Sequence, residues 1–258
     1  MPKRRAVETR GMFRTGDAIV NRLRHLRLTT PRAWARLIAA TLFPPRCTLC
    51  GFPGASLDLD LCEVCHADLP WARHTGEAVV AFRYEHPVDE LIRRLKYQGA
   101  IAHARVLGVL LAEVACNRGD ELPALLVPVP LHAARWRERG FNQAAVIARY
   151  AGHLLGIPVT RHATVRVRDT PSQTALDVNA RRLNVRGAFA LREGRSLERL
   201  LAAGHVAIVD DVITTGSTVN ELRGVLLAAG VRRVELWAVA RAESAPSRRA
   251  TAPPPGSP

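Results

Sequence analysis

From residue 79 onward, apolar runs alternate with amphipathic stretches. The runs fall at 79–84 and 125–129, and the longer patterned stretches at 88–114 and 143–155. Short apolar runs of strand length separated by helix-length periodic segments predict βαβ units and a parallel sheet. Two further runs, 206–209 and 234–239, flank a segment in which Val219, Leu222, Leu226 and Ala229 fall on one helical face. This pair is expected to be parallel and joined by a right-handed crossover.

Upstream the pattern is different. Trp34, Leu37, Ile38 and Leu42 recur at helical spacing before Pro44 and Pro45, which predicts one short amphipathic helix over 31–41, packed on its neighbour. Residues 47–70 are punctuated by Gly and Pro and hold too little apolar material to form a core unaided. After Arg241 almost nothing remains to bury, so a disordered tail is expected. The expected organisation is therefore a basic segment over 1–45, a small module over 46–70, an α/β domain over 75–241 and a tail over 242–258.

Charge adds a hint. The 258 residues carry 37 Lys and Arg against 23 Asp and Glu, a formal net charge of +14. Such a surface attracts polyanions, nucleic acid among them, because neutralised phosphates release counterions. Nearly all of that charge is arginine, with Lys3 and Lys96 the only lysines, so compositional drift explains it equally well. No run approaches the ~18 apolar residues of a membrane span, and no secretory core is visible, so a cytoplasmic protein is expected.

Cys47-Thr-Leu-Cys50 and Cys62-Glu-Val-Cys65 form two C-x2-C knuckles. Each places two thiolates where one tetrahedral Zn²⁺ takes both, and four soft ligands leave no open position, so the expected site is structural, with a disulfide pair, disfavoured among reduced cytosolic thiols, as the alternative. His66 follows Cys65 directly and is read as a neighbour rather than a ligand. Cys116, at the end of an apolar stretch, is read as a core filler.

The segment from His205 to Thr218 reads as a buried strand, two acids, a turn of small and hydroxyl residues, and a helix start. Open α/β sheets bind ligands at such a strand end. Thr214, Thr215, Gly216, Ser217 and Thr218 offer backbone N–H groups and hydroxyls at a helix N-terminus, a cradle for a phosphate monoester. Asp210 and Asp211 repel a phosphate, so their partners are neutral hydroxyls or a bound Mg²⁺. A Walker-type site is excluded because no G-x4-G-K-[ST] occurs. An ordinary capped helix needs only one Ser or Thr and leaves the paired acids unexplained. The segment resembles the ribose-phosphate signature of the type I phosphoribosyltransferases. That resemblance implies 5-phosphoribosyl 1-diphosphate with Mg²⁺ as ligand, Asp210 and Asp211 on the ribose hydroxyls, and Thr214 to Thr218 on the 5-phosphate.

A second apolar strand ends in Val127-Pro-Val-Pro-Leu131 and runs into a segment with Arg135, Arg137 and Arg139. Guanidinium donors match phosphate geometry, so the three are candidates for a pyrophosphate clamp, a solvated basic helix start being the alternative. A third segment, from Arg168 to Phe189, mixes hydroxyls, amides and arginines and reads as a lid or a recognition surface.

Together the knuckles, Val-Pro-Val-Pro-Leu, Arg-Glu-Arg-Gly-Phe-Asn-Gln, Thr-Pro-Ser-Gln-Thr and Val-Asp-Asp-Val-Ile-Thr-Thr-Gly-Ser-Thr resemble the ComF family of competence proteins over about residues 40–241. The resemblance implies a zinc ribbon followed by a phosphoribosyltransferase-like domain, acting in uptake of single-stranded DNA beside a helicase-like partner. It leaves two functions open. One is transfer of a phosphoribosyl group to an unidentified acceptor, with pyrophosphate leaving. The other is a non-catalytic accessory that binds single-stranded DNA, with Trp71, Trp136 and Phe141 as candidate stacking residues.

Overall fold

The computed structural model describes residues 46–53, 59–72, 78–168 and 185–242. The expected helix over 31–41, the Thr-Pro-Ser-Gln-Thr segment and the Pro-rich tail lie outside the described residues. At the centre is a four-stranded parallel sheet in the order β1-β6-β5-β2. Its strands are β1 (Ala78–Arg83), β2 (Leu125–Pro128), β5 (His205–Ile213) and β6 (Arg233–Arg241). A separate antiparallel pair joins β3 (Thr164–Arg166) to β4 (Phe189–Leu191).

Helices cover both faces of the sheet, as a wholly parallel sheet requires. On one face α2 (Val88–Gln98), α3 (Ile101–Asn117) and α5 (Gln143–Leu155) bury Leu91, Leu95, Leu107, Leu110 and Ile147 against Ala207, Val209, Trp237 and Val239. On the other, α6 (Arg195–Ala203) and α7 (Ser217–Ala228) bury Leu200, Val219, Leu222 and Leu226 against Val206, Ile208 and Ala238. The alternation of Val206, Ala207, Ile208 and Val209 between the two cores follows from the period-two geometry of a strand.

The patterned stretch 88–114 is two helices rather than one. Gly99 ends α2 in the left-handed region at φ 63°, which a side chain disfavours, and the chain re-enters helix at Ile101. Helix α3 packs closely on α5. A Cβ added at Gly108 would stand 2.7 Å from the Ile147 carbonyl oxygen, so only glycine allows this approach. Between α5 and β3, residues 157–160 run along β2, with Leu126 N–H donating to the Pro158 carbonyl and Thr160 N–H to the Leu126 carbonyl.

The cysteine module does not stand apart. It contains α1 (Glu63–Ala67), and its Cys47, Leu61 and Leu69 belong to the same buried cluster as Leu91 and Ile92. Polar ties reinforce the contact: Asp60 pairs with Arg105 of α3, and Trp71 stacks on Phe82 of β1 at 4.8 Å between ring centres. Among the described residues no helix is long and apolar enough to cross a membrane.

Candidate functional site

The site is built at the C-terminal ends of β2 and β5. Strand β2 stops at Pro128, paired with Val209, and Val129 N–H donates to the Val209 carbonyl at 2.9 Å. The acids at 210 and 211 therefore begin where the neighbouring strand peels away. Strand β5 runs on to Ile213, turns through Thr214 to Gly216, and enters α7 at Ser217.

Gly216 occupies the N-cap position at φ 74°, a conformation that favours glycine. Gly216 has no side chain to cap α7, and the Ser217 N–H reaches the Thr215 hydroxyl at 3.5 Å; a helix start lined by hydroxyls in this way suits an anion. Thr215 Oγ1 and Ser217 Oγ lie 2.8 Å apart, which fixes both hydroxyls beside that start. Asp210, Thr214, Gly216, Ser217 and Thr218 line a hollow of about 30 Å³.

The two acids are not equivalent. Asp211 is buried, and its carboxylate forms an ion pair with Lys96, from the last turn of α2. Burial opposes its ionisation, but the Lys96 ammonium outweighs burial and holds the carboxyl below its usual range. Asp210 Oδ1 accepts the Asp211 backbone N–H at 2.9 Å. Burial first, and then the neighbouring Asp211 charge, push Asp210 well above the ordinary carboxylate range. The pair thus divides in direction: Lys96 draws Asp211 toward its charged form, and burial beside that charge draws Asp210 the other way. Lys96 is itself raised: burial works against its charge, and Asp211 more than compensates.

Helix α4 (Ala133–Arg139) brings the arginine segment to the same sheet edge. His132 caps it, accepting the Ala134 N–H at 3.3 Å. Asn142 ties the following helix to β2, donating to the Val129 carbonyl at 2.9 Å and accepting from Ala145 N–H. The three arginines diverge. Arg135 bonds Glu138 at 2.9 Å within its own helix, and Arg137 is exposed. Arg139 lies over the Tyr97 ring at 5.4 Å, one residue beyond Lys96. Of the aromatic residues proposed for base stacking, Trp136 is half-exposed, whereas Trp71 and Phe141 are engaged in packing.

Lys96 escaped the sequence reading because it sits at the polar end of an amphipathic helix, where a solvated cation is ordinary. Its signal was compositional: among 37 basic residues, it is one of two lysines.

The four cysteines form a second centre. Their sulfurs all lie within 4.8 Å of one another, and those of Cys50 and Cys62 are 3.8 Å apart. A tetrahedral ion with Zn–S bonds of ~2.3 Å sets its sulfurs at about that spacing, so the donor set suits Zn²⁺. Burial works against ionisation of Cys47, but N–H groups of Cys50, Cys62 and Leu49 aimed at its sulfur bring the thiol down to about 6. His66 stands outside the group, edge-on to Trp71 and 3.8 Å from Glu113. Cys116 is only partly buried, a looser setting than the core position its sequence context suggested.

Fold and site define a parallel α/β protein with an acid pair and a small hydroxyl-lined hollow at the C-terminal end of its sheet, and a four-cysteine module fused to its core. No family model matches the chain. Competence protein F of Haemophilus influenzae is 34% identical over 197 residues, covering 70% of this chain and 84% of that protein. DNA utilization protein YhgH of Escherichia coli K12 is 34% identical over 199 residues, covering 76% and 83%. Competence protein ComFC of Streptococcus pneumoniae is 22% identical over 160 residues. The chain belongs to the ComF family.

Proposed function

We propose that the protein is a phosphoribosyltransferase of the ComF type that binds 5-phosphoribosyl 1-diphosphate and acts in DNA uptake and use. The observation that carries the ligand is the hollow: Thr214 to Thr218 supply hydroxyls and a helix start, and Asp210 stands at its rim. A sugar phosphate satisfies both halves, with its phosphate in the turn and its hydroxyls on the acids. The cellular role rests on the relatives named for competence and DNA utilization.

In this reading the turn seats the 5-phosphate, and Asp210 and Asp211 meet the ribose hydroxyls. Arg139, and less directly Arg135 and Arg137, face the diphosphate. As pyrophosphate leaves the anomeric carbon, fixed positive groups stabilise the departing charge and the adjacent acids stabilise the cationic ring. Mg²⁺ would supply further neutralisation of the diphosphate. Zn²⁺ held by Cys47, Cys50, Cys62 and Cys65 would close the N-terminal module without entering the chemistry.

The test is thermal stability of the protein with Mg²⁺ and 5-phosphoribosyl 1-diphosphate, alongside the Asp210→Asn, Asp211→Asn double variant. Ligand at a hundred times its dissociation constant adds about 2.7 kcal/mol to the folded state. A shift in the parent that the variant lacks supports the reading, and pyrophosphate release then identifies the acceptor. No shift in either sinks it and favours the non-catalytic reading, tested by salt-dependent binding of single-stranded DNA.

A further inference from the structure

We propose that Lys96 is a positioning residue of this site: its ion pair with Asp211 holds that acid in place and, through it, sets Asp210 at the hollow. The inference deepens the proposed function and rests on it for the identity of the ligand, although the ion pair stands without it.

Three observations converge. Lys96 projects from α2 onto Asp211, with both side chains largely removed from solvent. A lysine buried in an arginine-dominated chain marks a place where a compact, rotatable cation is wanted rather than a planar fork. Asp210, by contrast, lines the hollow with Thr214, Gly216 and Ser217, and takes the backbone N–H of Asp211 on one oxygen. The chain of contacts runs from Lys96 to Asp211 to Asp210 to the hollow. Removing the cation would leave Asp211 buried without its counter-charge, and Asp210, whose carboxyl is held by the Asp211 backbone N–H, would lose its fixed neighbour.

The same helix end reaches the arginine segment. Tyr97, next to Lys96, is the ring under Arg139. A displacement of the last turn of α2 would therefore move the acid pair and the Arg139 guanidinium together. The charged and titratable groups around Lys96 are Asp211 and Asp210 from β5, and Tyr84 from the end of β1. Tyr84 is itself flanked by Asp89 and Tyr97 of α2.

With only two lysines in the chain, amine chemistry reads this directly. Pulse acetylation across a pH series, followed by mass spectrometry, compares Lys96 in the native protein with Lys96 in the denatured protein. The expected result is slower labelling in the native state, because the ion-paired amine has a raised pKa and is largely withdrawn from solvent. Asp211→Asn is expected to restore most of that reactivity, and Asp210→Asn to restore little. Native Lys96 that labels at the denatured rate overturns the proposal, with no variant needed.

The second arm measures ribose 5-phosphate affinity against pH. Lys96→Met is expected to displace the midpoint of the profile, and Lys96→Arg to keep it near that of the parent. A Lys96→Met protein with an unmoved profile overturns the positioning role. If ribose 5-phosphate does not bind the parent while Lys96 stays protected and Asp211→Asn releases it, the ligand assignment falls and the Lys96–Asp211 assignment stands.

Discussion

Strands β5 and β6 carry acids at both ends, and the two ends are finished differently. Near the start of β6, Glu235 accepts from His205 Nε2 at 3.0 Å, Arg233 at 2.8 Å and Trp237 Nε1 at 3.0 Å, with Arg118 at 3.7 Å. Three rungs along the sheet, Asp210 has one backbone N–H and the charge of Asp211 beside it. A carboxylate surrounded by donors is finished by the fold itself, and its contribution is to stability. One raised toward protonation at the rim of a hollow is finished only by something that arrives.

The largest effect should come from breaking the finished end. Glu235→Ala leaves a buried indole N–H and clustered cations without their acceptor, and should cost about 3 kcal/mol in denaturant unfolding. A loss well below 1 kcal/mol would mean that the two ends are more alike than their geometry indicates.

Next comes the pH dependence of the pair. Asp211 has a folded pKa below its unfolded value, so its stabilisation is present above the unfolded value near 3.8 and is lost as pH falls through the folded one. Lys96 has a folded pKa above its unfolded value, so its share is present below about 10.5 and is lost as pH rises through the folded one. Asp211→Asn should flatten the acid limb of the stability curve and cost about 2 kcal/mol near neutrality.

Asp210 runs the other way. Its folded pKa is raised, so ionisation penalises the fold increasingly as pH climbs above 3.8 toward the folded value. Asp210→Asn should therefore fall within about 1 kcal/mol of the parent at pH 7, on the stable side, while sugar-phosphate binding is lost. A destabilised variant would place Asp210 with Glu235. The smallest effect is expected at Arg233, half-exposed beside Glu235: Arg233→Ala should cost under about 1 kcal/mol, as exposed partners of ion pairs do.

The parts of this arrangement that a local pattern encodes were legible beforehand. The stretch 143–155 coincides with α5, because Asn142 caps it and Gly156 ends it, and both signals are written in adjacent residues. The paired Cys-x2-Cys spacing and the hydroxyl-rich turn after Asp211 are equally local. What escaped depends on chain segments far apart in sequence. Lys96 meets Asp211 across more than a hundred residues, and nothing in the helix that carries it distinguishes it from a solvated end. The Glu235 cluster gathers residues from β5, β6 and the end of α3. The division of Asp210 from Asp211 follows from which cation is near, which only the folded chain decides. Gly99 shows a smaller lapse: a single glycine inside a long apolar pattern ended one helix and began another.

The shared core of the cysteine module and the sheet has a consequence for anyone exchanging parts among relatives. A graft of residues 46–72 from another family member would carry foreign counterparts of Cys47, Leu61 and Leu69 into a surface shaped by Leu91 and Ile92, and a foreign Asp60 opposite Arg105. Chimaeras cut at that seam should lose solubility unless the outward faces of α2 and α3 are transplanted with it. The natural unit of recombination in this protein is therefore the module together with its two supporting helices.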